Sequence, residues 1–227
     1  MLPRIDPRQG RSATRRRNRR GGKLFPNRRA GDLECLQAVC SRGCGLSGSG
    51  KSTLARELSE RIGMAVISSD VVRKELTGET GRGVPFNQGI YSSEMTQKTY
   101  GKMIAETDRR ISQGQGVILD ATFTQRRYRE KVVEVAARHH VSVYFLHCVA
   151  SDSLTQTRLR QRAMNESEVS DGRWEIYLEQ KAIEEPLDEC SAEVCLELSA
   201  DTPIEHLRRS SEQFLRARLW STVTMPA

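Results

Sequence analysis

The nine residues GLSGSGKST, from Gly45 to Thr53, carry the spacing G-x-x-x-x-G-K-[ST]. A glycine-rich turn that runs into a helix aims consecutive backbone N–H groups at one point, with the positive end of the helix dipole behind them. Such a nest suits a polyphosphate. Gly45, Gly48 and Gly50 leave room for the anion and permit positive φ. The backbone of Ser47, Ser49 and Thr53 completes the cradle, Lys51 reaches the β and γ phosphates, and the Ser52 hydroxyl ligates Mg²⁺. The expected ligands are ATP and Mg²⁺.

Two kinds of chemistry follow from a bound triphosphate: activation of water or activation of a substrate hydroxyl. The chain has no guanine-reading N-K-x-D and no LSGGQ-type signature, and Ala121 follows Asp120 where many ATPases carry a water-polarising Glu. A kinase is the simpler reading. It needs a general base near the acceptor hydroxyl, Mg²⁺, and cations over the moving phosphoryl group. Asp70, 19 residues after Lys51, stands at the carboxyl end of the second expected strand, where a parallel sheet faces its ligand crevice. It is the candidate base, and a helix N-cap is its plain alternative. Arg73 shares that helix face and would hold an anionic substrate group or Asp70 itself. Asp120, ending the third strand, would bind Mg²⁺ through water or order the site. Arg158 and Arg162, at i and i+4 on TRLRQRA, would close over ATP as a lid. Arg126 and Arg129, after DATFT, are further candidates for substrate or phosphate contact.

These side chains need elements to hold them. KSTLARELSERI (51–62) has Leu54, Leu58 and Ile62 on one face, so a helix starts at the glycine loop. MAVISS from Met64 reads as a strand, and Asp70 as the cap of a helix that Gly78 stops. Residues 78–92 are loop by their Gly and Pro content. Ser93 to Ser112 reads as a long helix, GVILDAT as a strand, 125–138 as a helix, and VSVYFLHCVA as a strand. Helices follow at 153–163 and 173–183, around the polar stretch MNESEVSDG. EVCLEL forms a last strand, and Pro203 opens a helix to about Leu219. This alternation predicts an α/β fold, a three-layer sandwich with a parallel central sheet and a helical lid. The strand expected before the glycine loop is short, Leu36 to Cys40 with a bulge near Gly43.

The net charge of +7 is unevenly spread. Residues 1–32 carry 11 Lys+Arg and 2 Asp+Glu, and the other 195 residues are close to neutral. The expected organisation is therefore a disordered Arg-rich leader (1–32), one domain (33–220) and a short tail (221–227). A solvated tail, a nucleic-acid tether and a targeting segment all fit the leader, as does an upstream start. No run of 18 apolar residues and no secretory signal are present, which points to a cytoplasmic protein with no membrane partner. The six cysteines fit no zinc spacing and read as free thiols.

GLSGSGKSTLAREL, VISSDVVRKEL, YSSEMTQKTY, VILDATF, and RLRQR with SDGRWEIYLEQ together resemble a family of P-loop kinases, called AAA-family ATPases or ATP-binding proteins, also found fused behind aminoglycoside-phosphotransferase-like domains. The resemblance runs from about Cys44 to Leu219 and extends to polynucleotide 5′-hydroxyl kinases and zeta-toxin-like kinases. It implies a P-loop NTPase fold and γ-phosphoryl transfer from ATP to a hydroxyl of a small-molecule or nucleotide acceptor. It also implies that Asp70 deprotonates that hydroxyl while Arg73 contacts an acceptor phosphate. Two other functions stay open: an ATPase switch without an acceptor, and a nucleic-acid-associated module held by the leader.

Overall fold

A computed structural model describes residues 38–40, 46–78, 88–163 and 173–219. Five strands, β1 (Ala38–Cys40), β2 (Ala65–Ser68), β3 (Val117–Asp120), β4 (Val143–Val149) and β5 (Cys195–Ser199), form one sheet in the order β2-β3-β1-β4-β5. Every pairing is parallel. The helices are α1 (Lys51–Ile62), α2 (Ser69–Thr77), α3 (Ser93–Ser112), α4 (Arg126–Arg138), α5 (Asp152–Ala163), α6 (Trp174–Ala182) and α7 (Ile204–Leu219).

The strands are apolar on both faces because helices cover both. Along β3, Val117 and Leu119 pack with α3 and α4 residues such as Met103 and Val132, while Ile118 points the other way among Leu54, Leu58 and Leu215 of α1 and α7. The period-2 alternation continues in β4, where Val143 and Phe145 join the first cluster and Tyr144, Leu146 and Cys148 the second. Three layers result, as the alternating pattern predicts. Burial also pushes the Cys148 thiol up to about 12, so it stays protonated and inert.

The strand order places the ligand crevice. From β1 the chain moves through α1 to the β2 edge, and from β3 it crosses through α4 to β4 on the opposite side of β1. Outside the carboxyl ends of β1 and β3 the connections diverge, and such a switch point leaves an opening that loops can line. The loop before α1 and the residues following β3 both reach it.

Helices α1 and α3 have the limits that their sequence patterns predict. Gly78, at φ 69°, ends α2 in a left-handed cap. Asp70 is not the N-cap of α2: Ser68 holds that position and Asp70 lies in the first turn. Its carboxylate is therefore free of a capping bond and lies near the positive end of the helix. Residue 43, the leader 1–32, the tail 221–227, the polar stretch 164–172 and most of loop 78–92 lie outside the described residues.

Candidate active site

The loop from Leu46 to Gly50 is buried at its base, with Gly48 and Gly50 at φ 95° and 89°. A Cβ on Gly48 would sit 3.1 Å from Thr155 Cγ2 and 3.2 Å from Leu159 Cγ, so α5 packs tightly against the loop and its side chains would have to shift by a few tenths of an ångström. Gly48→Ala combines left-handed strain with that crowding. We expect it to lower stability by about 1–3 kcal/mol and to weaken nucleotide binding, as read by thermal melts with and without nucleotide.

From Gly50 the chain enters α1, and Lys51 and Ser52 turn into a cavity of about 320 Å³. Ser47, Asp70, Arg73 and Asp120 line the same cavity. They arrive by three routes: Ser47 on the glycine loop, Asp70 and Arg73 on α2, and Asp120 at the end of β3, where it is registered beside Ser68 of β2. Thr53 is half-buried within α1. Ser49 is 2% exposed, and its hydroxyl has no partner among the described residues. Gly45 lies outside the described residues.

Asp120 is buried, and burial raises its carboxyl above the usual value. The Lys51 ammonium and hydrogen bonds with Ser52 and Ser68 oppose that shift, while the charge of Asp70 adds to it. One oxygen, Oδ1, has no hydrogen-bond partner among the described residues. An orphaned carboxylate oxygen beside a serine hydroxyl and a lysine is a donor set that fits a hydrated Mg²⁺ carrying phosphate oxygens.

Asp70 Oδ1 accepts a hydrogen bond from Arg73 Nη1 at 3.1 Å. The Arg73 guanidinium is largely buried, lies 5.1 Å from the centroid of the Tyr91 ring, and keeps Nε without a partner among the described residues. An ion pair held this way fixes the rotamer of Asp70 and leaves its second oxygen available.

The far wall comes from α3, the β3–α4 segment and α6. Tyr100 is stacked on Tyr128 at 4.0 Å between centroids, and its hydroxyl accepts from the Phe123 N–H at 2.9 Å. Phe123 is fully buried with φ 45°, an unusual backbone for a bulky residue, held by that bond and by Arg129 on its carbonyl. The strained turn brings Thr122, Thr124 and Gln125 to the cavity. Arg127 stands at its rim, 4.8 Å over the Tyr128 ring.

Not all the arginines of the sequence reading reach this place. Arg129 is 1% exposed and bonds Glu189 and the carbonyls of Phe123, Thr124 and Pro186, so it holds two segments together and does not line this cavity. Arg126 pairs with Asp188. Neither lines the cavity, whereas their neighbour Arg127 does. Arg158 lies against the loop from the α5 side, donating from Nη1 to the Gly48 carbonyl at 3.3 Å and from Nη2 to that of Ala200 at 3.0 Å. Arg162 is half-buried on the same helix, and neither lines the cavity. Sequence reasoning passed over Tyr91, Tyr100, Tyr128, Arg127 and Gln180. A signal existed for the segment after β3, since ligand loops follow the carboxyl ends of strands. For Gln180 there was none.

Comparison with known proteins agrees with the geometry. A crystal structure of a sugar kinase from Janibacter sp. HTCC2649 superposes with a TM-score of 0.62 at 22% identity, covering 85% of this chain and 99% of that one. A gluconokinase from Sinorhizobium meliloti 1021 gives 0.60 at 19% identity, covering 83% and 95%. The APS kinase CysC of Mycobacterium tuberculosis, in complex with AMPPNP and APS, gives 0.54 at 17%, covering 80% and 98%. These likenesses establish the P-loop kinase fold. Uncharacterized protein Rv2004c of Mycobacterium tuberculosis is 32% identical over 132 residues, which are 56% of this chain. The matched region spans about a quarter of that relative's length, 26%. Residues 43–186 match the family described as AAA domain, a stretch that holds the glycine loop, Asp70, Asp120 and the far wall of the cavity. The chain belongs to that family, with a P-loop kinase-like fold.

Proposed function

We propose that the chain is an ATP-dependent phosphotransferase that moves the γ-phosphoryl group of ATP onto a hydroxyl of a small acceptor. One observation carries the reading: Lys51 and Ser52 of the phosphate loop open into the same cavity as Asp70 and Asp120. A switch that binds ATP and contacts a partner has no need of a carboxylate that shares a tyrosine-lined cavity with the phosphate loop. The names of the structural neighbours, a sugar kinase, a gluconokinase and an APS kinase, fit the same class.

In this reading the loop amides from Gly48 to Ser52 hold the phosphates, and the Lys51 ammonium offsets the charge that develops as the phosphoryl group moves. Ser52 and Asp120 would hold Mg²⁺, which supplies charge neutralisation between the β and γ phosphates when bound. Asp70 takes the proton of the acceptor hydroxyl as that oxygen bonds to the γ phosphorus. The bond from phosphorus to the bridging oxygen breaks, and ADP leaves. Arg73 keeps the Asp70 carboxylate aimed, and Arg158 braces the loop from behind. The described residues, with 33–220 proposed as one domain around them, hold all of these groups except Gly45. No helix among them is long and apolar enough to cross a membrane. The leader that would tether a nucleic acid lies outside them.

The test is a screen of γ-labelled ATP against sugars, sugar acids, nucleosides, oligonucleotides and aminoglycosides, with wild type and Asp70→Asn in parallel. Label on one acceptor class, only with wild type, supports the proposal. ATP turnover without an acceptor that survives Asp70→Asn would sink it in favour of an ATPase.

A further inference from the structure

One contact at the cavity joins the glycine loop to α6. The Ser47 N–H donates to Gln180 Oε1 at 3.0 Å, and the Ser47 hydroxyl donates to the same oxygen at 3.2 Å. A backbone N–H can only donate, so the carboxamide oxygen must face the loop and the amino group is used in neither bond. Gln180 also lines the cavity, flanked by Ile176 and Ile183 from the same helix face. The position of α6 does not depend on this bond. Trp174 and Tyr177, stacked at 4.8 Å, pack with Leu46 and Leu159 and anchor the helix to the loop and to α5.

We propose that Gln180 reads the γ-phosphoryl group. The inference rests on the cavity being a phosphoryl-transfer site, because the group then travels between Lys51 and Asp70, along the wall that Gln180 occupies. The negative charge of that group spreads over its three equatorial oxygens. An N–H donor already fixed by Ser47 meets one of them at little entropic cost. Ile176, one turn before Gln180 and buried, shields the donor from water on that side. ADP lacks the γ-phosphoryl group and makes no use of this donor. Gln180 thus ties α6, a wall of the acceptor space, to the presence of ATP as distinct from ADP.

The experiment measures Mg²⁺-dependent affinity for a non-hydrolysable ATP analogue and for ADP by calorimetry, on the full chain. Gln180→Glu keeps an oxygen for the Ser47 N–H and nearly the same shape, and it removes the donor. Gln180→Ala removes the whole carboxamide. The expected result is a fall of about tenfold in analogue affinity for Gln180→Ala, the loss of one charge-assisted hydrogen bond. The fall should be larger for Gln180→Glu, whose carboxylate also repels the phosphate, and ADP affinity should be little changed by Gln180→Ala. An unchanged ratio of analogue to ADP affinity in both variants would overturn the proposal. So would tighter analogue binding by Gln180→Ala, since Gln180 would then be a plug on the Ser47 amide. Lys51→Ala separates the two levels. If it abolishes analogue binding while the Gln180 ratio is flat, the phosphate loop stands and only this inference falls; if it changes nothing, both fall.

Discussion

Asp70→Asn is expected to slow phosphoryl transfer by about 100- to 10,000-fold, the usual worth of a positioned base, with nucleotide affinity changed by less than about twofold. The substitution is nearly isosteric. The Asn side-chain oxygen still accepts from Arg73 Nη1, which in the native protein holds Asp70 Oδ1 at 3.1 Å, so the buried guanidinium keeps a partner. What is lost is the ability to take a proton. Asp70 stands on α2 and is no part of the phosphate loop, so the triphosphate should bind as before and wait. Single-turnover transfer of label to the acceptor found by the screen, alongside calorimetry with ATP, checks both halves. Equal transfer rates for variant and wild type would remove Asp70 from the chemistry.

Arg129→Ala is expected to cost about 3 kcal/mol of stability, or roughly 6–12 °C in Tm. Arg129 joins the strained β3–α4 turn to residues 186–189 through three carbonyls and the Glu189 carboxylate. Removing it strands those acceptors and opens a cavity, although Glu189 still reaches water with 23% of its side chain exposed and so pays less than a sealed charge. Burial works to raise the Glu189 carboxyl, but the hydrogen bond and charge of Arg129, with a backbone bond and Arg126, outweigh it and hold it at about 2 instead of 4.5. A depressed folded-state value means that the stabilisation is complete above about pH 4.5 and is lost as pH falls through about 2. The gap in denaturation midpoint between wild type and Arg129→Ala should therefore narrow across that acid window. A gap that stays constant from pH 7 to pH 2 would mean that the ion pair contributes nothing and that packing alone separates the two proteins.

The glycine loop, the helix it starts and the carboxylates at two strand ends were legible in the chain because local rules fix them. Spacing sets the nest, the 3.6-residue period sets α1, and the carboxyl ends of parallel strands set Asp70 and Asp120. Arg126, Arg127 and Arg129 show where such rules stop. All three look alike in QRRYRE, and what separates them is the position of Asp188 and Glu189 some sixty residues later. Gln180 is invisible for the same reason: Ile176, Gln180 and Ile183 read as one face of an ordinary helix until α6 is placed against Ser47. Arg158 is an intermediate case. The sequence reads it as a lid cation closing over ATP, whereas the packing of α5 on Gly48 puts it behind the nest, braced on a carbonyl.

The account depends most on the loop before α1 gripping a triphosphate, and calorimetric titration of wild type and Lys51→Ala with ATP, with and without Mg²⁺, tests that directly. It predicts Mg²⁺-dependent binding by wild type and an affinity at least about tenfold weaker for Lys51→Ala, since one charge-assisted contact to phosphate is removed. Folded wild-type protein with no Mg²⁺-dependent affinity, or Lys51→Ala binding ATP as tightly as wild type, would contradict it.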